Sequence, residues 1–88
     1  MATHKLKTWP TPFQATQLGN KTYEIRKNDR NFNVGDTLIL EEYDPTTQEY
    51  TGRVMTVRVT YITQGGEWKL PPDICVMAIQ FEKNPLRG

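Results

Sequence analysis

The chain has 88 residues and a mass of 10.2 kDa, so it holds one domain and has no room for a second. Its aromatic content of 10% and its β-branched runs argue against disorder, and the longest apolar run, residues 74–79, is too short to cross a bilayer. The N-terminus lacks the apolar segment of a signal peptide. We therefore expect a cytoplasmic protein with its core over residues 4–82 and a polar tail over residues 83–88.

Charge is distributed unevenly along the chain, although the net charge is only +1. Residues 1–30 carry six basic and two acidic residues, a net charge of +4, and the remainder carries five basic and eight acidic residues, a net charge of −3. A basic region of this kind attracts anions, but a pI of ≈ 7.9 is too low for a general nucleic-acid binder. We therefore expect binding in a pocket rather than over a broad electrostatic surface.

The cysteine and histidine content is minimal, with one residue of each type, Cys75 and His4. This set excludes an internal disulfide bond and leaves too few ligands for structural zinc. Cys75 lies in the run Ile-Cys-Val-Met-Ala-Ile, which predicts a small buried side chain. His4 has no serine, cysteine or carboxylate at a catalytic spacing, so we expect a hydrogen-bonded or solvated ring. We expect neither a metal ion nor a cofactor.

The first predicted element is a helix over residues 12–18. Thr11 is its predicted N-cap, and Pro12 occupies its first position, where a proline needs no hydrogen-bond partner. Gly19 follows as the stop signal. Trp9, which comes before this segment, is expected to pack under the helix.

A strand is predicted directly after the helix, over residues 21–26, because polar and apolar side chains alternate there. The alternation places Tyr23 and Ile25 on one face, and we consider the case in which this face packs against the core. Thr22, Glu24 and Arg26 then share the opposite face, either exposed or in a cleft.

The rest of the chain predicts an antiparallel sheet. Strands are expected over residues 37–43, 54–62 and 74–81, and the turn residues at 44–48 predict a hairpin between the first two. Residues 64–73 have the composition of a loop. One helix followed by four or five strands predicts an α+β, mainly β fold: a small mixed barrel with one or two short helices.

The chemistry-bearing segment lies between Gly19 and Arg30, where both signs of charge are dense. Its residues 19–26, Gly-Asn-Lys-Thr-Tyr-Glu-Ile-Arg, are similar to the Gly-x-Lys-x-x-Glu-x-Arg signature of ASCH domains, members of the PUA-like superfamily of small β-barrels associated with RNA. Residues 4–7, the phrase Glu-Ile-Arg-Lys-Asn-Asp-Arg at 24–30, and residues 34–36 and 50–53 also resemble a bacterial and phage branch of that group.

The resemblance implies a PUA-like barrel that binds RNA or a nucleotide at this strand. Strand geometry places the side chains of Glu24 and Arg26 about 7 Å apart on one face, where they can recognise a base or a phosphate. The predicted site residues share charge, hydrogen-bonding groups or an aromatic ring: Lys21, Thr22, Glu24, Arg26, Lys27, Asp29, Arg30 and Trp68. Lys21, Arg26, Lys27 and Arg30 are the predicted phosphate contacts, and Glu24 with Trp68 the predicted base contacts.

An enzymatic alternative follows from the same resemblance, because some ASCH-like proteins hydrolyse the amide of an acylated cytidine and others are linked to RNA cleavage. Lys21 and Glu24 are then the catalytic candidates, as activated amine and general base. The hydrolytic branch carries a threonine where this chain has Glu24, and Thr22 is the nearest hydroxyl. A protein-interaction barrel is the third alternative.

Each site residue also has a structural interpretation. Glu24 and Arg26 can form a salt bridge, and Lys21 can lie on the surface beside the helix C-terminus. Asp29 can cap the turn that follows the strand, with Arg30 bracing the same loop. Trp68 either stacks on a base or packs against the end of the barrel.

Overall fold

A computed structural model describes residues 1–82, which form a single five-stranded sheet and one α-helix. In chain order the elements are β1 (Thr3–Thr8), α1 (Pro10–Gln17), β2 (Tyr23–Lys27), β3 (Thr37–Asp44), β4 (Glu49–Thr63) and β5 (Ile74–Phe81), with a 3₁₀ turn at Glu67–Lys69. The α+β, mainly β class is confirmed. The predicted polar tail, residues 83–88, lies outside the described residues. Within residues 1–82, no helix has the length and apolar character needed to span a membrane.

The sheet has the strand order β1-β3-β4-β5-β2 and curls into a half-barrel. β1 runs parallel to β3, and the other neighbouring strands are antiparallel. Two arginines bind the edge strand β1. Arg26 of β2 donates from Nη1 to the carbonyl of Lys7 at 3.1 Å, and Arg30 of the loop after β2 donates from Nη1 to that of Lys5 at 2.6 Å. Side chains therefore satisfy carbonyls that an edge strand otherwise leaves to water.

The core lies between the concave face of the sheet and helix α1. The strands contribute alternate residues to it, as expected for a sheet with one buried face. Phe13 is the buried apolar residue of α1, and Phe32 enters from the loop before β3. The strand residues in the core are Leu6, Leu38, Leu40, Met55, Val57, Val59, Ile62, Cys75, Met77 and Ile79.

Helix α1 begins earlier than predicted, at Pro10, and Trp9 rather than Thr11 takes the N-cap position. Proline disfavours helical backbone in the residue before it, and Trp9 is extended with ψ 158°, so the boundary falls at Pro10. The expected packing of Trp9 under the helix is wrong, because its side chain is largely exposed. The predicted stop at Gly19 is confirmed: Gly19 has φ +81°, and the amides of Gly19 and Asn20 close a Schellman motif on Thr16 and Ala15.

The alternation in β2 is present, but the face that carries Tyr23 and Ile25 is not the core face. Glu24 is 2% exposed, whereas Ile25 is 57% exposed and Tyr23 also faces solvent. The cause is the pairing with β5, in which Glu24 lies opposite Met77 in the core, and residues directly opposite each other share a face. The alternation defines two faces, but the pairing decides which one is buried.

The observed boundaries of β3, β4 and β5 agree with the predicted ones within one residue, with one exception. β4 begins at Glu49, five residues before its predicted start. β3 and β4 form the predicted hairpin. A register shift between Val59 and Tyr61 turns Tyr61 outward and buries Ile62. Cys75 is buried as predicted, and its burial raises the pKa of the thiol above the usual 9.0.

His4 has the carboxylate partner that local spacing does not reveal. Its Nε2 lies 2.9 Å from Asp36 Oδ2, across 32 residues of sequence, and its ring packs edge-on against Phe32. Although burial opposes the shift, hydrogen bonds from the Ala2 amide, the His4 ring and the Asn33 amide lower the pKa of Asp36 below its usual 3.8. The pair therefore anchors the start of β1 to the turn before β3.

Candidate functional site

A surface depression lies where the edge strands β1 and β2 approach each other. It encloses ≈ 400 Å³, a volume typical of small-molecule sites. The end of β1 and the start of α1 form one wall, and Lys21 with β2 forms the other. We call it the seam cavity, and its lining residues are Lys7, Thr8, Trp9, Pro12, Lys21, Tyr23, Glu24, Ile25 and Arg26.

Three of the predicted site residues meet in this cavity. Glu24 Oε1 accepts a hydrogen bond from Arg26 Nε at 2.8 Å, and Glu24 Oε2 accepts one from Lys21 Nζ at 2.7 Å. We call Lys21, Glu24 and Arg26 the charged triad. β2 places Glu24 and Arg26 on one face, and the Schellman turn after α1 directs the chain so that Lys21 reaches the same carboxylate.

The triad is well satisfied within the protein. Lys21 Nζ also donates to the carbonyl of Tyr23 at 2.6 Å, and Arg26 Nη2 donates to Thr8 Oγ1 at 3.2 Å. The predicted Glu24–Arg26 salt bridge is therefore present, and Arg26 additionally binds β1. Both oxygens of Glu24 already accept from cations, so this side chain acts as a fixed anion inside the wall.

The cavity carries excess positive charge. Lys21 and Arg26 face the single carboxylate of Glu24, and Lys7 is a third basic residue of the lining, with its Nζ 4.1 Å from the centre of the Tyr43 ring. Lys7 is exposed, whereas the side chains of Lys21 and Arg26 are 19% and 24% exposed. Partly desolvated cations attract anions more strongly than fully solvated ones do, so this arrangement suits an anionic ligand.

Trp9 supplies an aromatic surface beside these cations. Its N-cap position on α1 leaves the indole ring exposed at the cavity wall, with Pro12 one turn further along the helix. An exposed indole next to cations is typical of sites that stack nucleic-acid bases.

Five predicted site residues lie away from the seam cavity. Thr22 lines a second, smaller cavity beside Lys21, and Lys27 is on the outer face of β2. Trp68 is 90% exposed in the loop between β4 and β5, so of its two alternatives the packing against the barrel end is wrong. The remaining two, Asp29 and Arg30, lie in the loop after β2.

The loop after β2 is organised by Asn28 rather than by Asp29. Asn28 Oδ1 accepts the amide of Phe32 at 3.1 Å, the capping role that the sequence assigned to Asp29. The Asp29 carboxylate is exposed and 4.0 Å from Arg30 Nε. Arg30 braces the loop as predicted, but does so through its bond to the carbonyl of Lys5.

Sequence reasoning missed Lys7, Thr8 and Trp9 as site residues. The alternation Lys-Leu-Lys in residues 5–7 indicates a strand, and Lys7 then shares a face with Lys5. The local pattern contains no signal that this strand pairs in parallel with β3 and so comes to face β2. Parallel pairing joins segments that are distant in sequence, and no turn signature marks it.

The chain matches a known family of protein domains. Residues 3–79 match the model described as "Domain of unknown function (DUF3850)". The chain belongs to this family. This DUF3850 domain is also 38% identical over 65 residues to an "Uncharacterized 12.9 kDa protein in GpA 3'region" of Escherichia phage P2, a match that covers 74% of this chain and 58% of the phage protein. The chain thus spans less than two thirds of that relative's length, and the relation to ASCH domains stays a prediction.

Proposed function

We propose that this DUF3850 domain is a cytoplasmic binding module for an anionic nucleotide unit, free or within single-stranded RNA, and that it is an ASCH-type member of the PUA-like superfamily. The observation that carries the proposal is the seam cavity, which combines nucleotide-sized volume, excess positive charge and an exposed indole. The Gly-x-Lys-x-x-Glu-x-Arg similarity supports it independently.

In this proposal the phosphate binds to cations at the cavity mouth. Lys7 is the first contact because it is exposed, and Lys21 and Arg26 add attraction from the wall while they stay bound to Glu24. Trp9 offers its ring to a base, since stacking on an aromatic face is worth about 1–3 kcal/mol per base. Glu24 holds the two cations in position and does not itself contact the base, which revises the role predicted from sequence.

The other predicted contacts belong to a longer ligand. Lys27, Arg30 and Trp68 lie outside the seam cavity, so only an RNA strand of several nucleotides reaches them. A mononucleotide should therefore bind with the same affinity when Lys27 or Trp68 is replaced. Comparing mononucleotide with RNA affinity in these variants therefore distinguishes binding in the seam cavity from binding on the surrounding surface.

A hydrolase is the second candidate, and one contact favours it: Lys21 Nζ lies 2.7 Å from Glu24 Oε2. A hydroxyl is also present in the cavity, but it comes from Thr8 rather than from Thr22. A general base needs a free oxygen for the proton of the attacking water. Because both Glu24 oxygens accept from cations, binding without turnover is the primary proposal.

The test is titration calorimetry with the four nucleoside monophosphates and a short single-stranded RNA at low salt, comparing two matched lysine variants. Lys7→Ala should weaken binding by about tenfold or more, because hydrogen bonds to charged groups contribute about 1.5–3 kcal/mol. Lys27→Ala, which removes an equally exposed cation from the outer face, should leave mononucleotide affinity unchanged. For RNA, log K should fall by about 0.7 per phosphate contact for each tenfold rise in salt.

Two results would contradict the proposal: no binding of any of these ligands at low salt, or equal losses in the Lys7 and Lys27 variants. Product analysis of the same samples tests the enzyme. Release of product from an acylated cytidine or from RNA, abolished in Lys21→Ala while the variant stays folded, would establish turnover and replace the binding-only proposal.

A further inference from the structure

A second cavity of ≈ 240 Å³ shares the lining residue Lys21 with the seam cavity. We call it the inner cavity. Val57 and Ile79 contribute apolar side chains from the core face of the sheet, Phe81 adds an aromatic wall, and Thr16 enters from helix α1. The volume is below the roughly 300 Å³ at which sites for whole drug-sized ligands begin, so it suits one ring system rather than a complete nucleotide.

Thr16 is the unusual member of this lining. It is 2% exposed, and within residues 1–82 its Oγ1 has no hydrogen-bond partner. A threonine in a helix commonly bonds the carbonyl four residues earlier, and a buried hydroxyl without a partner destabilises the folded state. Valine has nearly the same shape and avoids this loss. The hydroxyl therefore points to a ligand that supplies the missing partner.

Lys21 connects the two cavities because it lines both. Its backbone lies directly after the α1 Schellman turn beside the inner cavity, and its ammonium group reaches Glu24 in the wall of the seam cavity. Thr22, which the sequence predicted as a binding residue, also lines the inner cavity. A ligand that passes Lys21 with an anionic linker can thus place one group in each cavity.

We propose that the recognised unit is a dinucleotide whose phosphodiester lies at Lys21 and Lys7, with one base on Trp9 and the other in the inner cavity against Thr16. This inference rests on the proposed function and deepens it. The apolar walls contact the faces of the second base. The Thr16 hydroxyl, which can donate or accept, bonds its polar edge. Thr16 is then a residue that determines specificity, and the inner cavity is the base-reading part of the site.

The experiment compares dinucleotides of the four bases with the matching mononucleotides, on wild type and on four variants. Wild type should bind the best dinucleotide at least about fivefold more tightly than its mononucleotide, as expected for one additional stacked base. A dinucleotide with one abasic position should lose this gain. Thr16→Val should weaken dinucleotide binding by about fivefold to tenfold, the effect of one hydrogen bond, and leave mononucleotide binding unchanged.

A stability measurement separates the proposed role of Thr16 from a purely structural one. Without ligand, Thr16→Val should raise Tm by about 4–8 °C, because it removes an unpaired buried hydroxyl. Thr16→Ser keeps the hydroxyl and should retain dinucleotide affinity. Thr56→Val makes the same exchange on the exposed face of β4 and should change neither quantity.

The outcomes distinguish the two levels of the proposal. Equal binding of mononucleotides and dinucleotides, with both weakened in Lys7→Ala, would overturn the inner-cavity inference and keep the proposed function. Unchanged dinucleotide affinity in Thr16→Val would also overturn the inference. Absence of binding by the mononucleotides, which need only the seam cavity, together with absence of dinucleotide binding would overturn both.

Discussion

Replacing Glu24 with glutamine tests whether the charged triad holds the open side of the half-barrel together. The buried carboxylate accepts from Lys21 Nζ at 2.7 Å and from Arg26 Nε at 2.8 Å. Glutamine keeps one acceptor oxygen, but it removes the charge and turns an amide donor toward one of the cations. Arg26 also holds β1, so the substitution weakens the connection between the two edge strands as well.

The size of the effect follows from these contacts. Hydrogen bonds to charged groups contribute about 1.5–3 kcal/mol each, and the partial exposure of both cations places them near the lower end of that range. The loss of one such bond and the weakening of the other predict a destabilisation of about 2–3 kcal/mol. In a domain of this length, that change lowers Tm by about 10–20 °C.

The assay is urea unfolding followed by far-UV circular dichroism, with thermal melts as a second measure. Glu49→Gln, a neutral exchange at an exposed glutamate of β4, is the matched control and should change the free energy of unfolding by no more than about 0.5 kcal/mol. If Glu24→Gln is as stable as this control, or more stable than wild type, then Glu24 does not hold the two cations and the structural reasoning is refuted.

Three further predictions concern stability and reactivity. Because the pKa of Asp36 is lowered in the folded state, its charged form stabilises the fold above pH 3.8. This contribution should disappear as the pH falls below 3.8 through the folded-state pKa. Asp36→Asn should remove this part of the pH dependence, measured by urea melts between pH 6 and 2. Gly19→Ala should lower the free energy of unfolding by about 1–2 kcal/mol, because an alanine at φ +81° is strained in its own backbone. No neighbouring atom lies within 4 Å of the added Cβ, so no steric clash adds to this cost. A loss near zero would contradict the left-handed conformation. Cys75 should react slowly with a thiol reagent in native protein and at once in urea, because burial raises its pKa; fast native reaction would contradict its position in the core.

Local sequence was sufficient wherever neighbouring residues decide the structure. The β3–β4 hairpin was predictable because its turn residues lie between two β-rich runs, and Gly19 was a reliable stop because it adopts the left-handed backbone that glycine tolerates. The helix start was predicted two residues late because Thr11-Pro12 and Trp9-Pro10 are both acceptable starts by local rules. The register shift at Val59 was also not predictable, since the alternation of β4 continues through it in sequence.

The candidate site was predictable in its chemistry but only partly in its membership. The resemblance to the ASCH signature grouped Lys21 with Glu24 and Arg26, and in the structure both cations lie within hydrogen-bond distance of the Glu24 carboxylate. Trp68 was the expected aromatic contact, whereas Trp9 occupies the cavity wall. In the sequence, Trp68 in a glycine-rich loop and Trp9 before a helix are equally suitable as the aromatic contact of a site. Only the curl of the sheet shows which of them lies at the cavity.

By itself, the sequence determined the mainly β class, the strands from β3 to β5, the basic N-terminal third and the charged segment around Lys21. These properties depend on composition, two-residue alternation and turn residues, all of which act over short distances. The tertiary structure decided which face of β2 is buried, how β1 pairs with β3, and that His4 meets Asp36. The physical reason is that alternation defines two faces without choosing between them, and the choice depends on long-range strand pairing and on whether a buried charge such as Glu24 finds partners there.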